Sequence, residues 1–195
     1  MRAETREKRQ AEIAAAAWRV IEDTGPSGLS MQAVAREAKA SMETLYRWYG
    51  DKTGLYAALV ADNALRIEQA LVHAKQGADN PALTLQDIGA QLYDMLTSER
   101  VVALNRAAAG DTTGNLGAAL ALGGRERIVP HLLDIVAQVV PAAPLPEATG
   151  LFVDLLLGDV QIRRATASLA VPPAGTGQTR AISAVANLRK LYPTA

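Results

Sequence analysis

An all-α fold is what this sequence predicts. Alanine and leucine dominate its apolar residues, long alternations of β-branched residues are missing, and glycine or proline clusters fall at intervals suited to helices rather than to closely spaced strands. With 195 residues the chain has room for a small domain beside a larger one, each with its own core. We expect a three-helix N-terminal domain over residues 1–55 and a helical domain over residues 56–195.

The elements follow from caps and periodicity. A first helix is expected over residues 5–23, with Ile13, Ala17, Val20 and Ile21 on one face, stopping at the Gly and Pro of residues 24–28. Ser30 caps a short second helix carrying Met31, Val34, Ala35 and Ala38 at i, i+3, i+4 and i+7. Lys39 and Ala40 make a turn. Ser41 then caps a third helix with Met42, Leu45, Tyr46 and Tyr49 in the same spacing, ending at Gly50. Asp51 caps a longer fourth helix expected over residues 52–75, which breaks in the Gly-Ala-Asp-Asn-Pro run. Further helices are expected over 84–97, 99–109, 116–140, 146–169 and 178–192, with Pro130 kinking or splitting the helix that holds it.

Composition excludes several chemistries. There is no cysteine, so disulfides, thiolate metal sites and cysteine nucleophiles are out. No apolar stretch is long enough for a signal peptide or a membrane span, so a soluble, cytoplasmic protein without a membrane partner is expected. Twenty basic residues balance twenty acidic ones, and residues 1–56 hold nine Lys/Arg against eight Asp/Glu. Overall charge therefore speaks against a polyanion partner, and any DNA reading must rest on local geometry.

That geometry lies between Ser30 and Tyr49. Two short helices across a tight turn, followed at once by a long helix, form the unit that places a recognition helix in a major groove. Ser30, Ser41, Thr44, Tyr46, Trp48 and Lys52 gather hydroxyls, an indole N–H and an ammonium around the same short helix. These groups hydrogen-bond phosphate oxygens and fix register without reading sequence.

The run from Ser30 to Val60 resembles the DNA-binding signature of the TetR family of bacterial helix-turn-helix repressors. The resemblance rests on Ser30, Val34, Ala35, Ala38, Ser41, Thr44, Leu45, Tyr46, Tyr49, Lys52 and Leu55, with Ile13, Ala16, Ala17 and Gly25 in register upstream. It covers about the first 60 residues. It implies a palindromic double-stranded DNA operator, a homodimer, and a C-terminal domain whose helices four to eight enclose a small-molecule effector cavity. Tyr46, Trp48 and Lys52 would contact phosphates, with Ser30 adding its hydroxyl or its helix N-terminus. Base edges would fall to Arg47 on guanine, Glu43 on cytosine, and Thr44 and Met42 on a thymine methyl. Glu43 and Arg47 also fit an i, i+4 ion pair on a solvated face, and Trp48 also fits a core anchor. The sequence departs from the family at the turn, where Lys39 and Ala40 replace the usual Gly and Val. A non-glycine residue in a left-handed turn costs on the order of 1 kcal/mol, so a strained or reshaped turn is expected.

Other classes fare worse. A di-metal carboxylate enzyme needs Glu-x-x-His pairs, but His73 and His131 follow Ala70 and Ile128 at that spacing. No Walker-type Gly-Lys-Ser/Thr occurs, and no cofactor or metal is expected. A DNA-binding regulator without small-molecule input, controlled by a protein partner, stays open. Asn105 and His131, polar residues in apolar stretches, are the effector-lining candidates. For the dimer interface, the segment around Leu151, Leu155 and Leu156 is apolar nearly all round. The final helix adds a stripe with Ile182, Val185 and Leu188, so a two-fold four-helix contact is expected.

Overall fold

The computed structural model describes residues 2–74 and 79–193, with side chains from Arg6 onward. Among the described residues every regular element is helical. In order these are α1 (Arg2–Thr24), a 3-10 turn (Pro26–Gly28), α2 (Met31–Glu37), α3 (Met42–Tyr49), α4 (Lys52–Ala74), α5 (Pro81–Leu96), α6 (Glu99–Ala109) and α7 (Asn115–Leu120). A π-helical turn (Ala121–Arg125) leads into α8 (Glu126–Val139), followed by α9 (Leu145–Leu157), α10 (Val160–Ala165) and α11 (Thr176–Leu191). Lys75, the expected end of the fourth helix, and the first part of the break after it lie outside the described residues.

The chain forms two compact units, Met1–Asp62 with Ala103–Gly123, and Asn63–Val102 with Gly124–Ala195. In the first, Ile13, Ala16, Ala17 and Trp18 of α1 close on Val34 of α2, Leu45 of α3 and Leu55, Tyr56 and Leu59 of α4. The Tyr56 hydroxyl donates to the Leu104 carbonyl at 2.7 Å, and burial pushes that phenol well above its ordinary range. The loop before α7 is tied by Asp111, whose carboxylate accepts from the Leu116 amide at 2.8 Å and from Thr113. Those bonds, the Leu116 amide first, hold Asp111 below its ordinary pKa.

The second unit has its core in α5, α8, α9, α11 and the later part of α4, with Leu85, Tyr93, Leu132, Val136, Phe152 and Leu188 at its centre. Helix α11 packs on both α5 and α9. Small residues make this approach possible: a Cβ on Gly177 would sit 2.5 Å from Asp94 Oδ1 and 2.8 Å from the Ala90 carbonyl.

Three boundaries differ from the sequence reading. Helix α5 begins a turn early at Pro81, because Asn80 Oδ1 accepts from the Leu83 amide and proline suits the first helical position. The expected helix over 116–140 is helical from Asn115 to Val139, but its irregularity falls at the π-helical turn Ala121–Arg125 and not at Pro130, which stays inside α8 as its fifth residue. There the proline removes a single amide near the helix start, whereas the Gly123-Gly124 pair upstream permits the irregular turn. The expected helix over 146–169 is two helices, because Gly158 turns left-handed at φ 53° after α9.

Candidate nucleic-acid interface

Helix α2 starts where expected: Ser30 Oγ accepts from the Ala33 amide at 3.1 Å. Helix α3 starts the same way, Ser41 Oγ accepting from the Thr44 amide at 3.1 Å and lying 2.9 Å from Thr44 Oγ1. A capping serine spends a lone pair on the helix and keeps its hydroxyl hydrogen to donate elsewhere. Asp51 Oδ1 accepts from the Gly54 amide at 2.9 Å and so starts α4 beside exposed Lys52.

Helix α3 is anchored by Leu45, which is fully buried. Met42 and Trp48 are half-buried and pack on the same core, so the face left to solvent carries Glu43, Tyr46 and Arg47. Tyr46 is 49% exposed, with its hydroxyl-bearing ring on that solvent face. Among the described residues Glu43 and Arg47 form no ion pair with each other or with another group, and both remain solvent-facing. The Trp48 ring lies half-buried against the core, and the Arg6 guanidinium stands 5.7 Å from its centroid. Thr44 is half-buried. Burial raises the Tyr49 phenol above its ordinary range.

The turn between α2 and α3 keeps the left-handed form without glycine. Lys39 has φ 49°, the Ala40 amide donates to the Ala35 carbonyl at 2.9 Å, and the Lys39 amide donates to the Arg36 carbonyl at 3.2 Å. This six-to-one and five-to-two pair of bonds is a Schellman closure with lysine in the position glycine usually takes. Sequence reasoning missed Arg9 and Arg6, which reach this region from α1 across 29 or more residues that no periodicity spans.

The remaining candidates are scattered. Asn105 sits half-buried on α6 in the first unit. His131 sits on α8 in the second, one turn beyond Arg127, and its Nδ1 is buried without a hydrogen-bond partner. Arg127 pairs with Glu68, and that hydrogen bond holds the Glu68 carboxyl below its ordinary range. Thr149, 2% exposed with an unpartnered hydroxyl, is a buried polar group that sequence reasoning did not single out. A depression of about 220 Å³ lined by Val139, Arg189, Lys190, Tyr192 and Pro193 includes neither Asn105 nor His131.

The expected dimer residues divide. Leu156, Val185 and Leu188 are at most 1% exposed inside the chain's own core, which corrects their assignment to an intermolecular surface. Because α11 packs on α5 as well as α9, the stripe expected to meet a second copy is covered at home. Ile182 is 45% exposed, and Leu151 and Leu155 are half-buried.

A capped short helix, a left-handed turn, and a second capped helix with an exposed polar and aromatic face define a helix-turn-helix DNA-binding protein. Residues 13–59 match the family model described as bacterial regulatory proteins, tetR family. The chain is similar to a TetR transcriptional regulator from Agrobacterium tumefaciens, 25% identical, with 94% of each chain covered and a TM-score of 0.74. It is similar also to a TetR-family transcriptional regulator from Mesorhizobium loti, at 21% identity, 96% and 98% coverage and a TM-score of 0.77. The transcriptional regulator FadR from Bacillus subtilis, solved in complex with stearoyl-CoA, shares the fold at 12% identity, 91% and 96% coverage and a TM-score of 0.67. No curated protein sequence matches the chain significantly. Residues 13–59 thus carry the DNA-binding region of tetR-family bacterial regulatory proteins, and the chain as a whole is similar in fold to TetR transcriptional regulators. Among the described residues no helix is long and apolar enough to cross a membrane, and no cluster of three or more His, Asp or Glu could hold a metal.

Proposed function

We propose that this protein is a cytoplasmic repressor that grips a palindromic operator as a homodimer and releases it when a small molecule binds. Residues 1–55 would serve DNA binding and residues 56–195 effector binding and dimerisation. The observation that carries the DNA reading is the solvent face of α3, where Glu43, Tyr46 and Arg47 stand clear of the core between the capped starts of α2 and α4. Ser30, Ser41, Tyr46, Trp48 and Lys52 serve as phosphate ligands. Arg47 and Glu43, with lesser contributions from Thr44 and half-buried Met42, read bases.

Selecting duplexes from a random pool with the full chain tests this. Binding should fall steeply with salt as phosphate contacts release counterions. Lys52→Ala should weaken all selected sequences alike, whereas Arg47→Ala should cost about 1–3 kcal/mol mainly at one base pair. Equal loss on every sequence would remove Arg47 from the reading residues.

Effector control draws support from FadR, solved with stearoyl-CoA, and from the unpartnered His131 Nδ1, since a buried nitrogen without a bond invites a ligand group. Helix α4, which contributes residues to both units, is the element whose tilt would carry the signal. The effector must favour the DNA-incompetent arrangement. Melting the protein with compound pools tests this input: a ligand of the folded state raises the melting temperature, and a hit that leaves operator affinity unchanged at saturation contradicts induction.

For the dimer we retain α9 and α11 but move the contact to Leu151, Leu155 and Ile182. Ile182→Glu should yield folded monomers in sedimentation. Leu156→Glu, by burying a charge in the chain's own core, should unfold the protein instead. A dimeric Ile182→Glu protein would place the contact elsewhere.

A further inference from the structure

The Arg9 side chain crosses from α1 to the turn that launches α3. Its Nη2 donates to the carbonyl oxygens of both Ala38, at 3.1 Å, and Lys39, at 3.0 Å, while Nη1 donates to Glu12 at 2.6 Å. Ala38 is the C-cap of α2 and Lys39 the residue after it, so the guanidinium meets carbonyls that the helix leaves without partners. A cation there is also favoured by the helix dipole. The two carbonyls belong to the peptide planes on either side of the Lys39 Cα, so their mutual orientation is set by φ and ψ of Lys39 alone. One nitrogen bonded to both therefore fixes that pair of dihedrals. The residue so held has φ 49°, a conformation L side chains adopt at a cost, and its own side chain is exposed.

We propose that Arg9 is the positioning residue of the recognition helix: by bridging the Ala38 and Lys39 carbonyls it holds the non-glycine turn left-handed and sets the angle at which α3 leaves α2. Arg9 supplies from outside what glycine supplies by its own freedom. Glu12 orients the guanidinium and occupies the nitrogen that the carbonyls do not use. This inference rests on the DNA-binding reading only for its consequence at the operator; the clamp itself is a property of the free protein.

A double-mutant cycle of Arg9→Ala and Lys39→Gly in the full chain tests it. Two readouts are needed: amide exchange at Ala40, and affinity for a duplex that the unaltered protein selects from a random pool. With Lys39 present, Arg9→Ala should lower affinity about tenfold and speed Ala40 exchange; in the Lys39→Gly background the loss should shrink to about twofold or less. The cycle cancels any phosphate contact made by the Lys39 ammonium. Arg9→Gln, which is milder should the alanine variant fold poorly, should behave likewise, because an amide cannot hold both carbonyls and Glu12. Equal losses in the two backgrounds would make Arg9 a direct phosphate ligand or a merely stabilising residue, and would overturn the proposal. If the unaltered protein selects no duplex, the DNA reading fails, and exchange alone judges the clamp: unchanged Ala40 protection in Arg9→Ala contradicts it.

Discussion

Two helix ends in this protein, those of α2 and α10, are closed by the same pair of backbone bonds around the wrong kind of residue. At α2 the left-handed position holds Lys39, and at α10 it holds Ala167 at φ 58°, with the Ser168 amide on the Arg163 carbonyl and the Ala167 amide on the Arg164 carbonyl. An arginine secures each turn, but in opposite directions. At α2 the arginine comes from another helix, so the turn inherits its geometry from α1. At α10 it is the turn's own Arg164, 5% exposed, which holds Leu169 beyond the turn and reaches outward to the Thr97 carbonyl at 3.1 Å and the Glu99 carboxylate at 2.7 Å. Local Ser168 and Thr166 hydroxyls complete that closure. The first turn is clamped from afar, whereas the second is self-contained and clamps something else.

The largest effect expected from this contrast is at Arg164. Arg164→Ala leaves the Thr97 and Leu169 carbonyls short of a donor and should cost about 2–4 kcal/mol of stability, read as a fall in melting temperature. Glu99 is exposed and finds water, which keeps the loss below that of a fully buried pair. A loss under about 0.5 kcal/mol, the range of surface changes, would mean that α10 does not depend on its arginine.

Glycine at the two left-handed positions separates the modes of support. Ala167→Gly and Lys39→Gly should each stabilise by about 0.5–1 kcal/mol, since a Cβ is relieved at positive φ while the unfolded chain gains some freedom. The gain at Lys39 should grow when Arg9 is also removed. At Ala167 it should not respond to Arg9, and a response there would mean that the two turns are not supported independently.

The caps of α2, α3 and α4 were legible because each is a local bond from a side-chain oxygen to an amide three residues on. The oddity of Lys39 was legible too, as a residue without glycine's freedom in a turn that asks for it. Arg9 was not, because its bonds span 29 and 30 residues and depend on how α1 packs. For the same reason Leu156, Val185 and Leu188 were assigned to a dimer surface. An apolar stripe signals burial without naming its partner, and here α5 and α9 supply the cover. Pro130 is the more conspicuous residue in the sequence, yet the irregular turn falls at Gly123-Gly124 and the proline is held within α8.

The smallest expected effect concerns a helix start closed by a carboxylate. Asp111 is held below its ordinary pKa by the Leu116 amide and Thr113, so its contribution is present above the unfolded carboxylate pKa and is lost as pH falls through the lowered folded value. Melting curves through the acid range should show the unaltered protein losing its advantage over Asp111→Asn as the pH drops. A constant difference would remove Asp111 from the acid response.

On the proposed reading, α2, α3 and the start of α4 form the DNA-binding surface while the α10 turn plays no part in contact. Backbone amide shifts followed by NMR, as a selected duplex is titrated into the full chain, test it most directly. Shifts concentrated between Ser30 and Lys52, with the amides of Thr166 to Leu169 unmoved by contact at the lowest duplex additions, are the expected result. A duplex that binds tightly yet leaves Glu43, Tyr46 and Arg47 unshifted would place the DNA contact on another surface.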